Sequence, residues 1–279
     1  MSYTRYQERL FDKSYSMTEA RPTINDNILF DLATNLNLDD LTLCDIGGGT
    51  GANCASLKRI IETHFKHHVE ESVVCDVSIE GLRRARSLGL QAIKVDVTHL
   101  PFHDGVFEVV LNVHVLEHAI DVSRAIRETG RIVKKGGLLY VGTPNKASNL
   151  YLPFILDYHI LGRNPLHVRS GYDADQLTEV FCKLCFKRIL LRYHGFWGAF
   201  CAHILGYAVE FLILLFQHIL RLQVPRIVRG KINNEIKNVK NKMIAWEVKI
   251  FGNENPHSMN FHMFPRKTSD KYFQEKRHE

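Results

Sequence analysis

The sequence has little of the positive charge that a nucleic-acid-binding surface needs. Its formal net charge is +6 over 279 residues, and no dense tract of lysine and arginine with interleaved aromatic residues occurs. Such a mild excess suits an anionic surface or a small anionic substrate, whereas nucleic-acid-binding arms carry much denser basic runs. We therefore expect no nucleic-acid partner.

Paired cysteines that would form a disulfide framework are also missing. The six cysteines are scattered through apolar stretches, which favours free buried thiols in a reducing compartment. One C-x-x-C pair, Cys182 and Cys185, lacks the second pair that a four-ligand zinc site needs, so we interpret it as part of a core helix. Residues 1–15 contain no long apolar run, so we expect no secretory signal and a cytoplasmic location.

The most informative feature that is present is a glycine cluster at the end of an apolar run. The run Leu43–Ile46 is typical of a buried strand. Gly47, Gly49 and Gly51 follow it, and then a helical pattern begins. Glycine tolerates positive φ and lets a ligand approach the backbone, while the free N–H groups of a helix start attract polar or anionic groups. The spacing is G-x-G-x-G and not G-x-G-x-x-G, so a nucleotide-like ligand is favoured over a nicotinamide or flavin cofactor.

Between residues 41 and 145, short β-rich runs alternate with helical patterns, which predicts a parallel sheet with crossover helices. We predict strands at Leu41–Ile46, Ser72–Asp76, Ala92–Asp96, Phe107–Val113 and Leu138–Thr143, and helices at Ala52–His67, Ser78–Leu88 and Asp121–Val133. Outside this stretch we predict helices at Pro22–Leu36 and Asp173–Cys185, and strands at Lys187–Tyr193 and Asn260–Pro265. Right-handed crossovers then give a doubly wound α/β fold.

Three aspartates, Asp45, Asp76 and Asp96, stand where the first three predicted strands end. In an open α/β sheet ligands bind outside the carboxyl ends of the strands, so these carboxylates would converge on one rim. A carboxylate at the end of the second strand can accept hydrogen bonds from both ribose hydroxyls. A carboxylate at the end of the third strand can accept a hydrogen bond from an exocyclic amine of the base. Each aspartate could instead cap a turn or a helix. Three of them in series after a glycine loop favour ligand binding.

A longer series of motifs surrounds these aspartates. It comprises Asp45–Gly51, Val74–Ser78, Val95–Asp96, Leu100–Phe102, Asp104–Glu108, Val115–His118, Lys135–Gly137 and Thr143–Asn145. This series resembles the class I S-adenosylmethionine-dependent methyltransferases, and most of all the branch that includes the quinone-biosynthesis O-methyltransferases. The resemblance covers about Leu41 to Tyr172. Glu108 departs from it, since that branch usually has aspartate there, and residues 196–257 exceed the usual short connection.

The resemblance implies a Rossmann-like, mainly parallel seven-stranded sheet and S-adenosylmethionine as cofactor. It also implies a role for each matched position. The loop Asp45–Gly51 would hold the amino-acid half of the cofactor, and Asp76 would hold the ribose. Asp96, together with the backbone of Val97, would bind the adenine.

Methyl transfer displaces a good leaving group from a sulfonium carbon, so the protein mainly positions the reactants and, where needed, removes a proton. Candidate bases or substrate contacts are His114, Glu117 and His118, just after the fourth strand, and His167 further on. Alternatively, His118 caps the next helix and His114 is a hydrogen-bonded, partly buried histidine.

The segment His114–His118 also spells H-x-x-E-H, the inverzincin signature, which we consider coincidental. Such a zinc site needs both histidines on one helix face, whereas His114 follows a strand pattern. In the quinone methyltransferases a Glu-x-x-Glu-His at this place is associated with a divalent metal. His114 replaces its first glutamate, and we assign no metal ligand.

Residues 196–220 are almost entirely apolar apart from His203, Glu210 and Gln217, which recur every seventh residue and would form one narrow helical stripe. Basic residues follow as far as residue 242. Three interpretations stay open: a membrane span, in which Glu210 would cost about 3 kcal/mol; an interfacial or lid helix, with peripheral membrane contact through residues 196–242; and a core helix or dimer contact.

An apolar insertion beside the cofactor would favour a small hydrophobic or lipid-like methyl acceptor. We predict an N-terminal helical cap (residues 1–40), a methyltransferase core (41–195 and 258–268) and a helical apolar and basic insertion (196–257). Two alternatives remain: a non-catalytic, membrane-associated protein that keeps the fold, and a nucleotide-dependent oxidoreductase.

Overall fold

A computed structural model of the chain describes residues 3–17, 20–24, 26–36, 41–146, 167–194, 235, 238, 260–270 and 272. The chain divides into two compact units. The first comprises residues 1–143, 166–191 and 262–279, and the second comprises residues 144–165 and 192–261. Most described residues belong to the first unit. The predicted division into cap, core and insertion stays a prediction.

Seven strands form one sheet: β1 (Leu41–Ile46), β2 (Val69–Asp76), β3 (Gln91–Lys94), β4 (Phe107–Val113), β5 (Val133–Pro144), β6 (Phe186–His194) and β7 (Asn260–Lys267). Their spatial order is β3-β2-β1-β4-β5-β7-β6. The neighbours β1–β2, β1–β4, β2–β3 and β4–β5 are parallel. The chain reverses direction across the sheet between β1 and β4, so the carboxyl ends of β1, β2 and β4 flank a crevice suited to a ligand. The predicted doubly wound, mainly parallel seven-stranded sheet is confirmed.

Helices of the described residues are α1 (Tyr3–Met17), α2 (Asp26–Thr34), α3 (Ala52–Ile60), α4 (Ile79–Ser87), α5 (Val122–Ile132) and α6 (Ala174–Lys183). The predicted elements occur in the predicted order, although their ends differ. The helix predicted from Ala52 to His67 becomes a π-helical turn at Ile61–Phe65, which is closed by Lys66 with a φ of 59°. Helix α1 lies within the predicted N-terminal helical cap, but the only helix predicted there was Pro22–Leu36.

Side-chain caps begin three of these helices. Ser78 is the predicted N-cap of α4, and its Oγ accepts from the N–H of Gly81 at 3.0 Å. Asp121 caps α5 through the N–H of Arg124 at 2.9 Å, and Asp173 caps α6 by accepting from two first-turn amides. Each cap satisfies an N–H group that the helix leaves unpaired and stabilises it by about 1 kcal/mol.

The central strands are buried on both faces. Leu43 on β1, Leu111 on β4 and Tyr140 on β5 are all inaccessible to solvent. Their runs are continuously apolar, as expected for parallel strands covered by helices on each side. The ring of Tyr140 meets that of Phe264 edge-on at 5.1 Å, which packs β7 into the same core.

Glu108 has a structural role at the amino end of β4. Its carboxylate accepts hydrogen bonds from the N–H (3.1 Å) and hydroxyl of Thr42 and forms an ion pair with Lys134. Partial burial opposes its charge, but these donors outweigh that effect and lower the pKa of Glu108. The departure from the family pattern therefore ties β1, β4 and β5 together at the sheet edge opposite the crevice.

The prediction for the cysteines is partly wrong. The described cysteines are free thiols, and Cys44, Cys54 and Cys75 are buried as predicted. Cys182 is exposed, because it lies off the face of α6 that is buried, and Cys185 lies beyond the end of that helix. The interpretation of the C-x-x-C pair as part of a core helix is therefore wrong.

Among the described residues, no helix combines the length and the apolar character needed to cross a bilayer. The helix predicted at residues 196–220 falls outside the described residues. Its three interpretations stay predictions.

Candidate active site

The glycine loop after β1 lies at the carboxyl edge of the sheet. Gly47 and Gly49 have positive φ values of 63° and 52°. A Cβ at Gly47 would overlap the side chain of Val115, and one at Gly49 would overlap the ring of Tyr15. Both the backbone conformation and the lack of space therefore require glycine. Gly51 serves the turn into α3 instead, because a Cβ there would meet core side chains.

Asp76 ends β2, as predicted, and fastens the glycine loop. Its Oδ2 accepts from the N–H of Gly49 at 2.8 Å, and its Oδ1 accepts from the N–H of Ser78 at 2.7 Å. The residue is 6% exposed. Burial raises the pKa of Asp76 to about 6, although the backbone N–H groups counteract the rise. The carboxylate thus joins the loop to the start of α4.

Asp96 lies in the turn after β3 and not at the end of the strand, because β3 ends at Lys94. Its Oδ1 accepts from the N–H of Thr98 at 2.9 Å and from the Thr98 hydroxyl at 2.8 Å. These bonds fix the turn that carries Val97. Asp96 therefore has the turn role that the sequence left open, and it also lines the cavity described below.

Asp45 is buried beneath the glycine loop, at 1% exposure. Its carboxyl lies where a Cβ on Gly48 would be, and neither oxygen has a hydrogen-bond partner among the described residues. Burial raises the pKa of Asp45 to about 7; the nearby backbone N–H of Cys54 counteracts the rise, and the charge of Asp76 adds to it. The carboxyl thus supports the loop from beneath, and its burial disfavours the charged form.

A cavity of about 220 Å³ opens at this edge of the sheet. Its lining contains the predicted cofactor residues Gly47, Asp76, Asp96 and Val97 and the predicted catalytic residues His114 and His118. Asp45, Gly49 and Gly51 belong to the loop and do not line it. Of the predicted catalytic residues, Glu117 and His167 also lie outside the lining, so the structure brings members of both predicted groups, but not all of them, to one cavity.

Helix α1 forms one wall of the cavity, and its lining residues were not among the predicted site residues. Gln7, Phe11 and Tyr15 line the cavity from one helix face, each four residues after the last. Gln7 Nε2 donates to the backbone oxygen of His118 at 3.0 Å, and the ring of Phe11 meets the His118 ring edge-on at 5.3 Å. This four-residue spacing is the signal that could have predicted α1.

The predicted catalytic residues come together around the turn that follows β4. His114 has a φ of 55°, and its Nδ1 lies 3.0 Å from Glu117 Oε1. The Glu117 side chain is fully buried, and its other oxygen accepts from Thr143 Oγ1 at 3.3 Å. The rings of His118 and His167 meet edge-on, with centroids 4.5 Å apart. Since this segment is a turn, the two histidines of H-x-x-E-H do not share a helix face.

The electrostatics separate the roles of these groups. Burial opposes the charges of His114 and Glu117, but the hydrogen bond between them outweighs it, raising the pKa of His114 and lowering that of Glu117. Burial, with the neighbouring His118, lowers the pKa of His167 to about 4. His114 and Glu117 thus favour an ion pair, and the His167 ring is neutral near pH 7.

The segment after residue 166 braces this turn. The N–H of Val168 donates to the backbone oxygen of Glu117 at 2.8 Å. Tyr172 Oη donates to the backbone oxygen of Leu116, also at 2.8 Å. These hydrogen bonds to backbone oxygens fix the turn without using its side chains.

Glu117, His118 and His167 offer donor atoms that all lie within 4.8 Å of one another, a grouping that could hold a metal ion. Both oxygens of Glu117 already accept hydrogen bonds from protein groups. The prediction that this turn binds no metal stays a prediction.

Comparison with known proteins connects the cavity to a reaction. Residues 44–141 match the family model of a methyltransferase domain. A protein of Mycobacterium tuberculosis, described as a probable S-adenosylmethionine-dependent methyltransferase, is 28% identical over 172 residues, which are 59% of this chain and 55% of that protein. The family match contains the glycine loop, Asp76, Asp96 and the turn His114–His118. This chain carries a class I S-adenosylmethionine-dependent methyltransferase domain.

A second relative is also named as a methyltransferase. A ubiquinone biosynthesis O-methyltransferase of Brucella anthropi is 30% identical over 113 residues, which are 40% of this chain and 45% of that protein. The chain spans about half the length of these relatives.

Solved structures show the same fold. An S-adenosylmethionine-dependent methyltransferase from Archaeoglobus fulgidus has a TM-score of 0.51 at 13% identity, covering 87% of this chain and 92% of that one. The [4+2]-cyclase SpnF also has a TM-score of 0.51, at 20% identity, covering 87% and 80%. At such identities the likeness concerns the fold alone.

The buried Asp45 predicts a pH-dependent stability of the methyltransferase domain. Its folded pKa of about 7 exceeds the ordinary value of 3.8, so the protonated form is favoured on folding. Its contribution to stability is therefore full below pH 3.8 and is lost as the pH rises through 7, by up to about 4 kcal/mol. We expect Asp45→Asn to raise the thermal unfolding midpoint of the ligand-free protein strongly at pH 8 and much less at pH 5.

The control for this measurement is Asp26→Asn, whose carboxylate is 62% exposed. We expect this change to shift the midpoint little at either pH. An equal gain from Asp45→Asn at pH 5 and pH 8 would contradict the assigned titration.

Proposed function

We propose that this protein transfers a methyl group from S-adenosylmethionine to a small, hydrophobic or lipid-like acceptor. The observation that carries the proposal is the cavity lined by Gly47, Asp76 and Asp96 on one side and His118 on the other. The residues that we assign to the nucleoside and the residue that we assign as the base therefore line one cavity, and they fall within the residues that match a methyltransferase domain.

The residues fit the cofactor. When bound, S-adenosylmethionine supplies an electrophilic methyl group on a sulfonium. Gly47 lines the cavity with backbone alone, and Asp76 and Asp96 line it with the carboxylates that we assign to the ribose and the adenine. The backbone of Val97 lies beside Asp96, and the loop Asp45–Gly51 would hold the amino-acid half, with the buried Asp45 supporting that loop from beneath.

We assign the proton-accepting role to His118, because it lines the cavity and lies beside Glu117 and His167. Glu117, whose pKa is lowered, lies next to His118 as an anionic neighbour. His114 balances and orients Glu117, so Glu117 and His114 act as positioning residues. The neutral His167 limits the movement of His118 through ring contact.

Three observations support a hydrophobic acceptor. Ile120 lines the cavity although it is 59% exposed, and Val168, 42% exposed, follows His167. A relative named for ubiquinone biosynthesis is 30% identical over 113 residues. The apolar sequence of residues 196–220 and the basic sequence after it suit an amphiphilic acceptor and peripheral contact with an anionic membrane.

The proposed function is tested by two measurements on the full chain. Calorimetry should detect binding of S-adenosylhomocysteine, the product form of the cofactor. Incubation of cell extract with isotope-labelled S-adenosylmethionine and the protein, followed by mass spectrometry of the organic and aqueous phases, should then reveal one labelled hydrophobic product in the organic phase. Label found only in polar metabolites would contradict the proposed acceptor class.

A non-catalytic protein that keeps the fold is the second candidate, and the shared fold of a [4+2]-cyclase shows that this fold also occurs with other chemistry. Cofactor binding without methyl transfer to a panel of lipids, quinones and phenols would favour it. The oxidoreductase alternative requires a dinucleotide, and unchanged NADH fluorescence on addition of the protein would exclude it.

We expect methyl transfer to continue after chelation of divalent metals. Both oxygens of Glu117 accept protein hydrogen bonds, and His114 holds the position of the first glutamate in the metal-associated motif. The rate should stay within about twofold after treatment with EDTA, compared with calcium-loaded EDTA as control. A loss of activity that Mg²⁺ or Zn²⁺ restores would show instead that Glu117, His118 and His167 hold a metal.

A further inference from the structure

Tyr15 lies at one end of the cavity, next to the glycine loop. Its ring lies against Gly49, where an added Cβ would overlap it, and also close to Gly81 at the start of α4. On the same face of α1, Phe11 and Gln7 extend toward His118 at the other end. Helix α1 therefore runs along the cavity, with Tyr15 at the end that the resemblance assigns to the amino-acid half of the cofactor.

The Tyr15 hydroxyl is an available hydrogen-bond donor. It makes no hydrogen bond to any described residue, although the ring lines the cavity. Burial, followed by the negative charges of Asp76 and Asp45, raises the pKa of Tyr15 well above its usual range, so the phenol stays protonated. The amides of Gly47 and Gly49 already donate to Cys75 and Asp76, so the Tyr15 hydroxyl is the donor that this end of the cavity can offer to a ligand. A carboxylate is a suitable acceptor for it, because hydrogen bonds to a charged acceptor are strong.

Polar contacts on the neighbouring face fix the position of α1. Asp12 Oδ1 accepts from Ser78 Oγ at 2.5 Å and from the N–H of Glu80 at 3.0 Å. Lys94 and Glu8 form an ion pair at 2.5 Å. Since Ser78 also donates its N–H to Asp76, the position of α1 is linked to the carboxylate assigned to the ribose.

We propose that Tyr15 is a cofactor-recognition residue, whose hydroxyl donates to the carboxylate of the amino-acid half of S-adenosylmethionine. This inference rests on the proposed function and deepens it. Tyr15 would distinguish the complete cofactor from nucleosides that lack the amino-acid end, while Asp76 and Asp96 would bind both kinds of ligand.

The test compares two ligands that differ only in that end. S-adenosylhomocysteine carries the amino-acid half, and 5′-methylthioadenosine keeps the thioether, ribose and adenine but lacks it. Tyr15→Phe should weaken binding of S-adenosylhomocysteine about tenfold by calorimetry and leave binding of 5′-methylthioadenosine unchanged, because it removes one hydrogen bond to a charged group. The matched control is Tyr6→Phe on the same helix, at a ring that is 39% exposed and does not line the cavity.

The other outcomes overturn the inference in distinct ways. Equal affinities of wild type and Tyr15→Phe for S-adenosylhomocysteine would show that the hydroxyl binds nothing. An equal loss for both ligands would show a general packing role for the ring, and tighter binding by the variant would show that Tyr15 obstructs the site. If the wild-type protein bound neither ligand, the proposed function would fail first.

Discussion

Replacing Asp76 with alanine should raise the Kd for S-adenosylhomocysteine at least about 100-fold, because two hydrogen bonds from ribose hydroxyls to a carboxylate are lost together. The same change removes the acceptor of the Gly49 and Ser78 amides, so the glycine loop also loses its attachment to α4. Calorimetry on the purified variant measures the affinity, and thermal unfolding without ligand shows whether the domain still folds.

Two further variants isolate the role of Asp76. Asp76→Asn keeps one side-chain oxygen for the loop, yet should still lose most of the affinity, since an amide N–H₂ cannot accept from a hydroxyl. Glu70→Ala removes an exposed carboxylate at the other end of the same strand and should change nothing. An Asp76→Ala variant that folds and binds within about threefold of wild type would refute the assignment of the ribose site.

The sheet and the cofactor edge could be predicted because the responsible signals are local. The apolar run of β1, the glycines after it and Asp76 at the end of β2 are each determined by a few neighbouring residues. In a parallel sheet their convergence follows from topology, since carboxyl ends meet at one edge.

Helix α1 could not be predicted so easily, because none of its side chains with described burial is fully buried. Its stripe of Gln7, Phe11 and Tyr15 mixes polar and aromatic residues, and its partners lie far away in sequence, as in the contact between Gln7 and His118. Such a helix owes its place to tertiary contacts and not to a strong apolar pattern.

Local signals also mislead about individual residues within a correct motif. Gly51 belongs to the glycine series, but its conformation serves the turn into α3 and its neighbours are core side chains. Asp45 ends its strand as predicted, yet lies beneath the loop and not on the cavity wall. Sequence spacing gives the order of these residues, whereas burial and direction depend on packing that only the fold supplies.

His118→Ala should lower kcat for methyl transfer by about 100- to 1,000-fold while changing the Kd for S-adenosylhomocysteine less than about threefold. His118 lines the cavity, and its neighbours Glu117 and His167 place an anionic and a neutral group behind it. Removing the ring takes away the proton acceptor but leaves Asp76, Asp96 and the glycine loop in place. Single-turnover rates with the identified acceptor, together with calorimetry, separate the two effects.

The control is His68→Ala, which removes a ring that is 80% exposed next to the start of β2. It should leave both constants unchanged. If His118→Ala transferred methyl groups at the wild-type rate, the acceptor would need no base from this turn. Catalysis would then come from positioning alone, which can itself lower a barrier by several kcal/mol when two reactants are held in line. An acceptor that is already deprotonated or carries a neutral amine would fit that result, and a phenol near pH 7 would not.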